Sequence, residues 1–150
     1  MMVKSFIGAR AKEEKQIPKQ ALVKEYMTRQ LITFKPKQSI DEVVSILIYK
    51  GISGGPVVDD SNNLVGIISE GDCLKQIIRG KYNNSPTLNG LVEDHMVTEV
   101  KTLKPDNTIL EAAAAFLEER IRRFPVLDNG KLIGQISQRD VMKAIEDFSR

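Results

Sequence analysis

Two short segments hold the side chains best suited to chemistry. Ser69-Glu-Gly-Asp72 and Ser137-Gln-Arg-Asp140 each place a hydroxyl three residues before a carboxylate. An ionised carboxylate only accepts hydrogen bonds, through two oxygens, whereas a serine hydroxyl both donates and accepts. At a helix start the pair caps free backbone amides, and such amides are also a ready site for phosphate oxygens. The residues alone leave capping and ligand binding both open. A second candidate is Arg122-Arg123, whose planar guanidinium groups match phosphate oxygens. The alternative is a pair of solvated arginines at the negative end of a helix carrying Glu118 and Glu119. The other reactive types offer less. Cys73 has no histidine beside it and reads as a buried, inert thiol. His95 is the only histidine, expected exposed, with no partner ligands for a metal. Asp59-Asp60 falls in a turn, where aspartate is common. No nucleophile–base pair appears, so an enzyme is disfavoured.

The elements that position these residues follow from an internal repeat. At a shift of 69 residues Val23 falls on Val92, Met27 on Met96, Lys35-Pro36 on Lys104-Pro105 and Pro56-Val57 on Pro125-Val126. After a one-residue slip, at a shift of 68, Gly66 meets Gly134, Ser69 meets Ser137 and Asp72 meets Asp140. The slip lies in a polar turn, Asp60–Asn63 against Asn129-Gly130, where a hairpin tip tolerates it. Ser39-Ile-Asp-Glu42 and Thr108-Ile-Leu-Glu111 match the capping box and open helices reaching about Lys50 and Arg120. Two apolar runs around the polar turn then predict a β-hairpin, and a last helix begins near Ser69 or Ser137. Each unit reads β-α-β-β-α behind a short helical lead-in, Val23–Met27 or Val92–Met96. The fold class is therefore α/β of the α+β type, two tandem repeats packed through their sheets with pseudo-twofold symmetry. The expected division is a basic tail at 1–21, repeat 1 at 22–79, a Gly/Asn/Ser-rich linker at 80–91 and repeat 2 at 92–148. Each unit alone buries too little surface to be more than marginal. Related clefts are expected where the halves meet.

Composition removes other classes. The chain has 150 residues, 41% of them hydrophobic and 28% charged, which suits a packed core. A net charge of +2, concentrated in the first 22 residues, does not favour nucleic acid. One cysteine excludes an internal disulfide framework. No apolar run is long enough to span a membrane and no signal peptide opens the chain, so a soluble cytoplasmic protein is expected.

Gly51–Asp59 with Leu64–Asp72, and Ile121–Asp128 with Leu132–Asp140, resemble the cystathionine-β-synthase (CBS) domain family, as a tandem pair or Bateman module. The resemblance covers about residues 22–148. It implies a non-catalytic sensor of an adenosine ligand, AMP first and ADP or ATP next, without a required metal. S-adenosylmethionine or a dinucleotide, and a scaffold with unoccupied clefts, are the alternatives. It also implies that Asp72 and Asp140 hold ribose hydroxyls, which suits an acceptor with two oxygens, and that Ser69 and Ser137 assist. The segment before each Pro-Val would contact adenine and phosphate: Ile52, Ser53, Gly54 and Pro56 in one copy, Ile121, Arg122, Arg123 and Pro125 in the other. Family clefts join the aspartate of one repeat to that segment of the other. Asp72 would then face Ile121-Arg122-Arg123 in the phosphate-competent site. Asp140 would face Ile52-Ser53-Gly54, with Arg139 as the only adjacent cation. Thr28 and Val97 would meet the base edge. The resemblance further implies a homodimer forming a four-repeat disc, with Ala112–Ala115 a close-packing helix surface or part of that interface. Nothing else in the chain has room for an enzyme or transporter domain, so output would pass to an effector protein the sequence does not name.

Overall fold

A computed structural model describes residues 21–82 and 90–148. The expected basic tail, apart from Ala21, and residues 83–89 of the expected linker lie outside the described residues. In chain order the elements are α1 (Val23–Tyr26), α2 (Ile40–Lys50), β1 (Gly54–Val58), β2 (Leu64–Ser69), α3 (Glu70–Tyr82), α4 (Val92–His95), α5 (Ile109–Glu119), β3 (Arg123–Asp128), β4 (Lys131–Ser137) and α6 (Gln138–Phe148). Residues 80–82 are thus the end of α3.

The helix caps form as their sequences require, with one difference. The Glu111 amide donates to the Thr108 hydroxyl at 3.1 Å, and the Glu111 carboxylate accepts from the Thr108 amide at 2.8 Å, a complete capping box. In the first copy only the serine half forms: the Glu42 amide donates to the Ser39 hydroxyl, while the Glu42 carboxylate takes the Gln38 side-chain amide at 3.0 Å. The opening strand of each repeat shrinks to one parallel bridge, Phe34 to Val57 and Leu103 to Val126. The cause is local. Immediately afterwards the Lys35 and Lys104 amides donate to the Gln38 and Asn107 side chains at 2.7 Å each. With Pro36 and Pro105 next, the chain turns instead of extending.

Strands β1 and β2 form one antiparallel hairpin, β3 and β4 the other, each with a register shift at the same place, Val57/Val58 and Val126/Leu127. The tips join the hairpins. The Leu132 amide donates to the Asn62 carbonyl at 3.0 Å, and the Asn62 side chain donates back to the Leu132 carbonyl at 2.8 Å.

The lead-ins cross over. Although α1 precedes repeat 1, it packs on repeat 2: Val23 and Met27 join a core of Ile109, Phe116, Phe124, Val126 and Ile136. Likewise Val92 joins the core of Phe34, Ile40, Val43, Val57 and Ile68, with Met96 packed against it. Paired backbone bonds fix both crossings. The Lys24 amide donates to the Pro105 carbonyl and the Glu93 amide to the Pro36 carbonyl, each at 3.0 Å. Downstream, Thr28 pairs with Gln135 in β4, and Val97 with Ile67 in β2. Gly134 and Gly66 make room for this. A Cβ on Gly134 would lie 2.6 Å from the Met27 sulfur and 3.0 Å from the Thr28 carbonyl oxygen; on Gly66 it would lie 2.6 Å from the Met96 sulfur and 2.8 Å from the Val97 oxygen.

Each crossing also carries one ion pair, and the charges are exchanged. Lys24 of the first lead-in meets Asp106 at 3.0 Å, while Glu93 of the second meets Lys37. Lys24 and Glu93 are equivalent positions, as are Lys37 and Asp106. A lead-in docked on its own repeat would set lysine against lysine and carboxylate against carboxylate.

Candidate functional site

Two clefts open where the hairpins meet. The wider, about 300 Å³, is lined by Thr28, Gln30, Leu31, Ile32, Ile52, Gly54, Pro56, Arg123, Gln135, Ser137 and Asp140. The crossover builds it: the chain leaving α1 passes over β4 as residues 28–32 and carries one wall from repeat 2 back to repeat 1. The β1 segment supplies the opposite wall. Asp140 sits in the first turn of α6, directly after β4. Its Oδ2 accepts from the Ser137 amide at 2.8 Å and the Ser137 hydroxyl at 3.0 Å, while the Asp140 amide donates to the Ser137 hydroxyl oxygen at 3.2 Å. The carboxylate therefore caps its helix through one oxygen. Oδ1 has no partner among the described residues, and the half-buried side chain lies at the cleft wall. Capping and ligand binding use different oxygens, so one residue can do both.

The narrower cleft, about 170 Å³, is lined by Ser53, Gly54, Gly55, Pro56, Ile67, Ser69, Arg122, Arg123, Pro125 and Gln135. Here the equivalent aspartate is withdrawn. Asp72 is 8% exposed, does not line the cleft, and takes both Ser69 donors on Oδ2. Two copies of one motif thus have different access. Arg122 and Arg123 both line this narrow cleft, while the aspartate that reaches open space is Asp140, in the other.

Of the anticipated residues, Thr28, Ile52, Gly54, Pro56, Ser137 and Asp140 come together in the wide cleft, and Ser53, Ser69, Arg122, Arg123 and Pro125 in the narrow one. Four lie apart from both linings. Besides Asp72, Arg139 is exposed and lines neither cleft, and the cation near Asp140 is Arg123 instead. Ile121 is half-buried and its carbonyl accepts the Gln138 side-chain amide at 3.3 Å. Val97 is exposed and occupied by its ladder with Ile67. Sequence reasoning missed Gln30, Leu31, Ile32 and Gln135, and Gly55 and Ile67 of the narrow cleft. Gln135 was findable as the β4 residue after Gly134, facing the crossing chain; residues 30–32 become cleft-lining only once the crossover is known.

The remaining reactive groups are accounted for locally. Asp59 accepts the Ser61 and Asn63 amides on Oδ1 at 2.9 Å and the Asn63 side chain on Oδ2 at 3.0 Å. Those bonds, the Asn63 side chain first, hold its carboxyl below the usual aspartate range. Cys73 is buried, and burial, with the Asp72 and Glu70 carboxylates nearby, pushes its thiol up in pKa and away from reactivity. His95 is half-buried instead of exposed. No group of three metal-ligating side chains occurs among the described residues. None of the described helices is long and apolar enough to cross a membrane.

Comparison with known proteins agrees with this architecture. The family model of the CBS domain matches twice, at residues 23–79 and 92–147. The crystal structure of CBSX2 in complex with AMP superposes with a TM-score of 0.75 at 32% sequence identity, over 87% of this chain and 99% of that one. The full chloroplastic CBSX2 of Arabidopsis thaliana is 30% identical over 154 residues, and MJ1225 of Methanocaldococcus jannaschii 28% over 123 residues. The matched part spans 65% and 42% of those two proteins.

Proposed function

The chain belongs to the CBS domain family, and on that premise we propose that it is a non-catalytic regulatory module that binds an adenine nucleotide, AMP first, in the wide cleft. The observation that carries this reading is the open pocket that Asp140 and Arg123 of repeat 2 line together with Ile52, Gly54 and Pro56 of repeat 1. The carboxylate accepts the two vicinal ribose hydroxyls, Arg123 takes phosphate, and the half-apolar wall of Leu31, Ile32, Ile52 and Pro56 receives the purine. The pocket volume is at the lower end of the small-molecule range, which favours a mononucleotide over a dinucleotide. The arginine favours a phosphorylated ligand over S-adenosylmethionine. The AMP bound by CBSX2 supports the same class.

The test is thermal shift and calorimetry with AMP, ADP, ATP, adenosine and S-adenosylmethionine. AMP at 100 times its dissociation constant should stabilise by about 2.7 kcal/mol. No shift with any of the five compounds overturns the reading. Asp72 itself favours a purely structural role, as a helix cap, because its exposed fraction is too small to serve a ribose.

The module pairs with a second copy to form a four-repeat disc. Support comes from the apolar side chains left in water on the helices: Ile48 and Leu74 on α2 and α3, Leu117 and Met142 on α5 and α6, all more than 60% exposed. Ala114 is also exposed on α5. Light scattering showing a monomer at micromolar concentration refutes the pairing.

A further inference from the structure

The two clefts share part of their walls. Gly54, Pro56, Arg123 and Gln135 line both, and Arg123 is the only charged residue among the four. It is the first residue of β3, opposite Ser137 across the β3–β4 ladder. Among the described residues it is the sole cation lining the wide cleft. The narrow cleft holds Arg122 as well. Neither arginine is in an ion pair among the described residues.

A guanidinium binds a phosphate group best through two parallel hydrogen bonds from one edge. Two phosphate dianions drawn to one side chain must share its single positive charge, and each repels the other at short range. We propose that Arg123 is a clamp shared by the two clefts, so that a phosphorylated ligand in the wide cleft weakens phosphate binding in the narrow one. The effect is reciprocal, because a coupling free energy between two binding events acts equally on both. Arg122 leaves the narrow cleft a residual hold, so the coupling is a weakening and not a strict exclusion. This inference rests on the nucleotide reading above and adds how the sites communicate.

The experiment is calorimetric titration of the full chain with AMP and, as a probe without phosphate, adenosine. Unequal steps alone do not decide, since the clefts differ in size. The deciding comparison uses Asp140→Asn, which weakens AMP binding in the wide cleft. AMP should bind the narrow cleft of Asp140→Asn about 10-fold more tightly than it makes its second step in the unmodified chain, within the roughly 5- to 150-fold range of such couplings. A single AMP per unmodified chain, with one AMP still bound by Asp140→Asn and that one lost when Arg122→Gln is added, is the same effect carried to completion. The gain should disappear when Arg123→Gln is added to both, and should be absent with adenosine. Equal affinity for the narrow cleft with and without Asp140→Asn overturns the shared clamp. So does a chain that takes one AMP and loses all binding with Asp140→Asn, since no second site then exists. If neither AMP nor adenosine binds the unmodified chain, the nucleotide reading fails, and the clamp with it.

Discussion

Adding one methyl group at Gly134 tests the crossover and the cleft together. The new Cβ would sit 2.6 Å from the Met27 sulfur, 3.0 Å from its Cγ and 3.0 Å from the Thr28 carbonyl oxygen. The sulfur is the flexible end of a side chain and can move. The carbonyl cannot move cheaply, because it accepts the Gln135 amide at 2.9 Å while the Thr28 amide donates to Gln135 at 2.8 Å. Met27 itself is 8% exposed and packed in the second core, so its displacement is an overpacking problem that costs about 1–3 kcal/mol. For a chain of this size that corresponds to a fall in Tm of roughly 3–10 °C. Thr28 lines the wide cleft, so Gly134→Ala should also weaken AMP binding. The assay is differential scanning calorimetry with and without AMP. Met27→Ala alone opens a cavity and costs about 2–5 kcal/mol. In the double variant the two changes should compensate in part, because the methyl occupies space the methionine vacates. Strict additivity, or a Gly134→Ala chain melting with the unmodified one, refutes the argument that this glycine exists to admit the crossing methionine.

Four further outcomes are expected. Asp140→Asn keeps an acceptor for the Ser137 donors but loses the charge; it should cost stability by about 1 kcal/mol at most and AMP affinity by about 10- to 100-fold, as for hydrogen bonds to a charged group. Asp72→Asn should leave the wide cleft's AMP affinity unchanged, as titration calorimetry can check. Lys24→Glu sets like charges together at the first crossing and should lower Tm slightly, since exposed pairs contribute only about 0.2–1 kcal/mol; Lys24→Glu with Asp106→Lys should restore it, and failure to do so removes the ion pair from the account. Glu111 is held below its ordinary value near 4.5, first by the Thr108 amide and then by the Thr108 hydroxyl. A lowered folded-state value means the contribution is complete above the unfolded value and is lost as pH falls through the folded one. The Tm difference between the unmodified chain and Glu111→Gln should therefore be present at neutral pH, shrink below pH 4.5 and vanish in strong acid.

The repeat made most of each unit legible. Ser39 and Thr108 mark the helix starts because a hydroxyl before a helical apolar pattern has one common use, and the one-residue slip between the copies locates both hairpin tips. What periodicity does not carry is which core a lead-in joins. Val23–Met27 and Val92–Met96 have the same apolar spacing, so either fits either repeat. The discriminating signal is electrostatic, in the exchange of Lys24 and Glu93 against Lys37 and Asp106, and it has meaning only once those positions are known to touch. The candidate site was legible to a similar depth. The Ser-x-x-Asp pairs are where the motif puts them, but identical motifs at Asp72 and Asp140 conceal different burial. Arg139 was chosen for its adjacency in sequence. Neighbours on a helix point about 100° apart, so residue 139 looks away from the cleft that residue 140 lines, and the cation arrives from a strand.

Because each lead-in completes the opposite half, the two duplicated segments are buckled together like a pair of belts threaded through one another's loops. A fragment ending before the second copy would wear a strap with nothing to fasten to, Val23 and Met27 turned to water, while lacking Val92 and Met96 from its own interior. Such pieces should be poor soloists that recover structure when mixed.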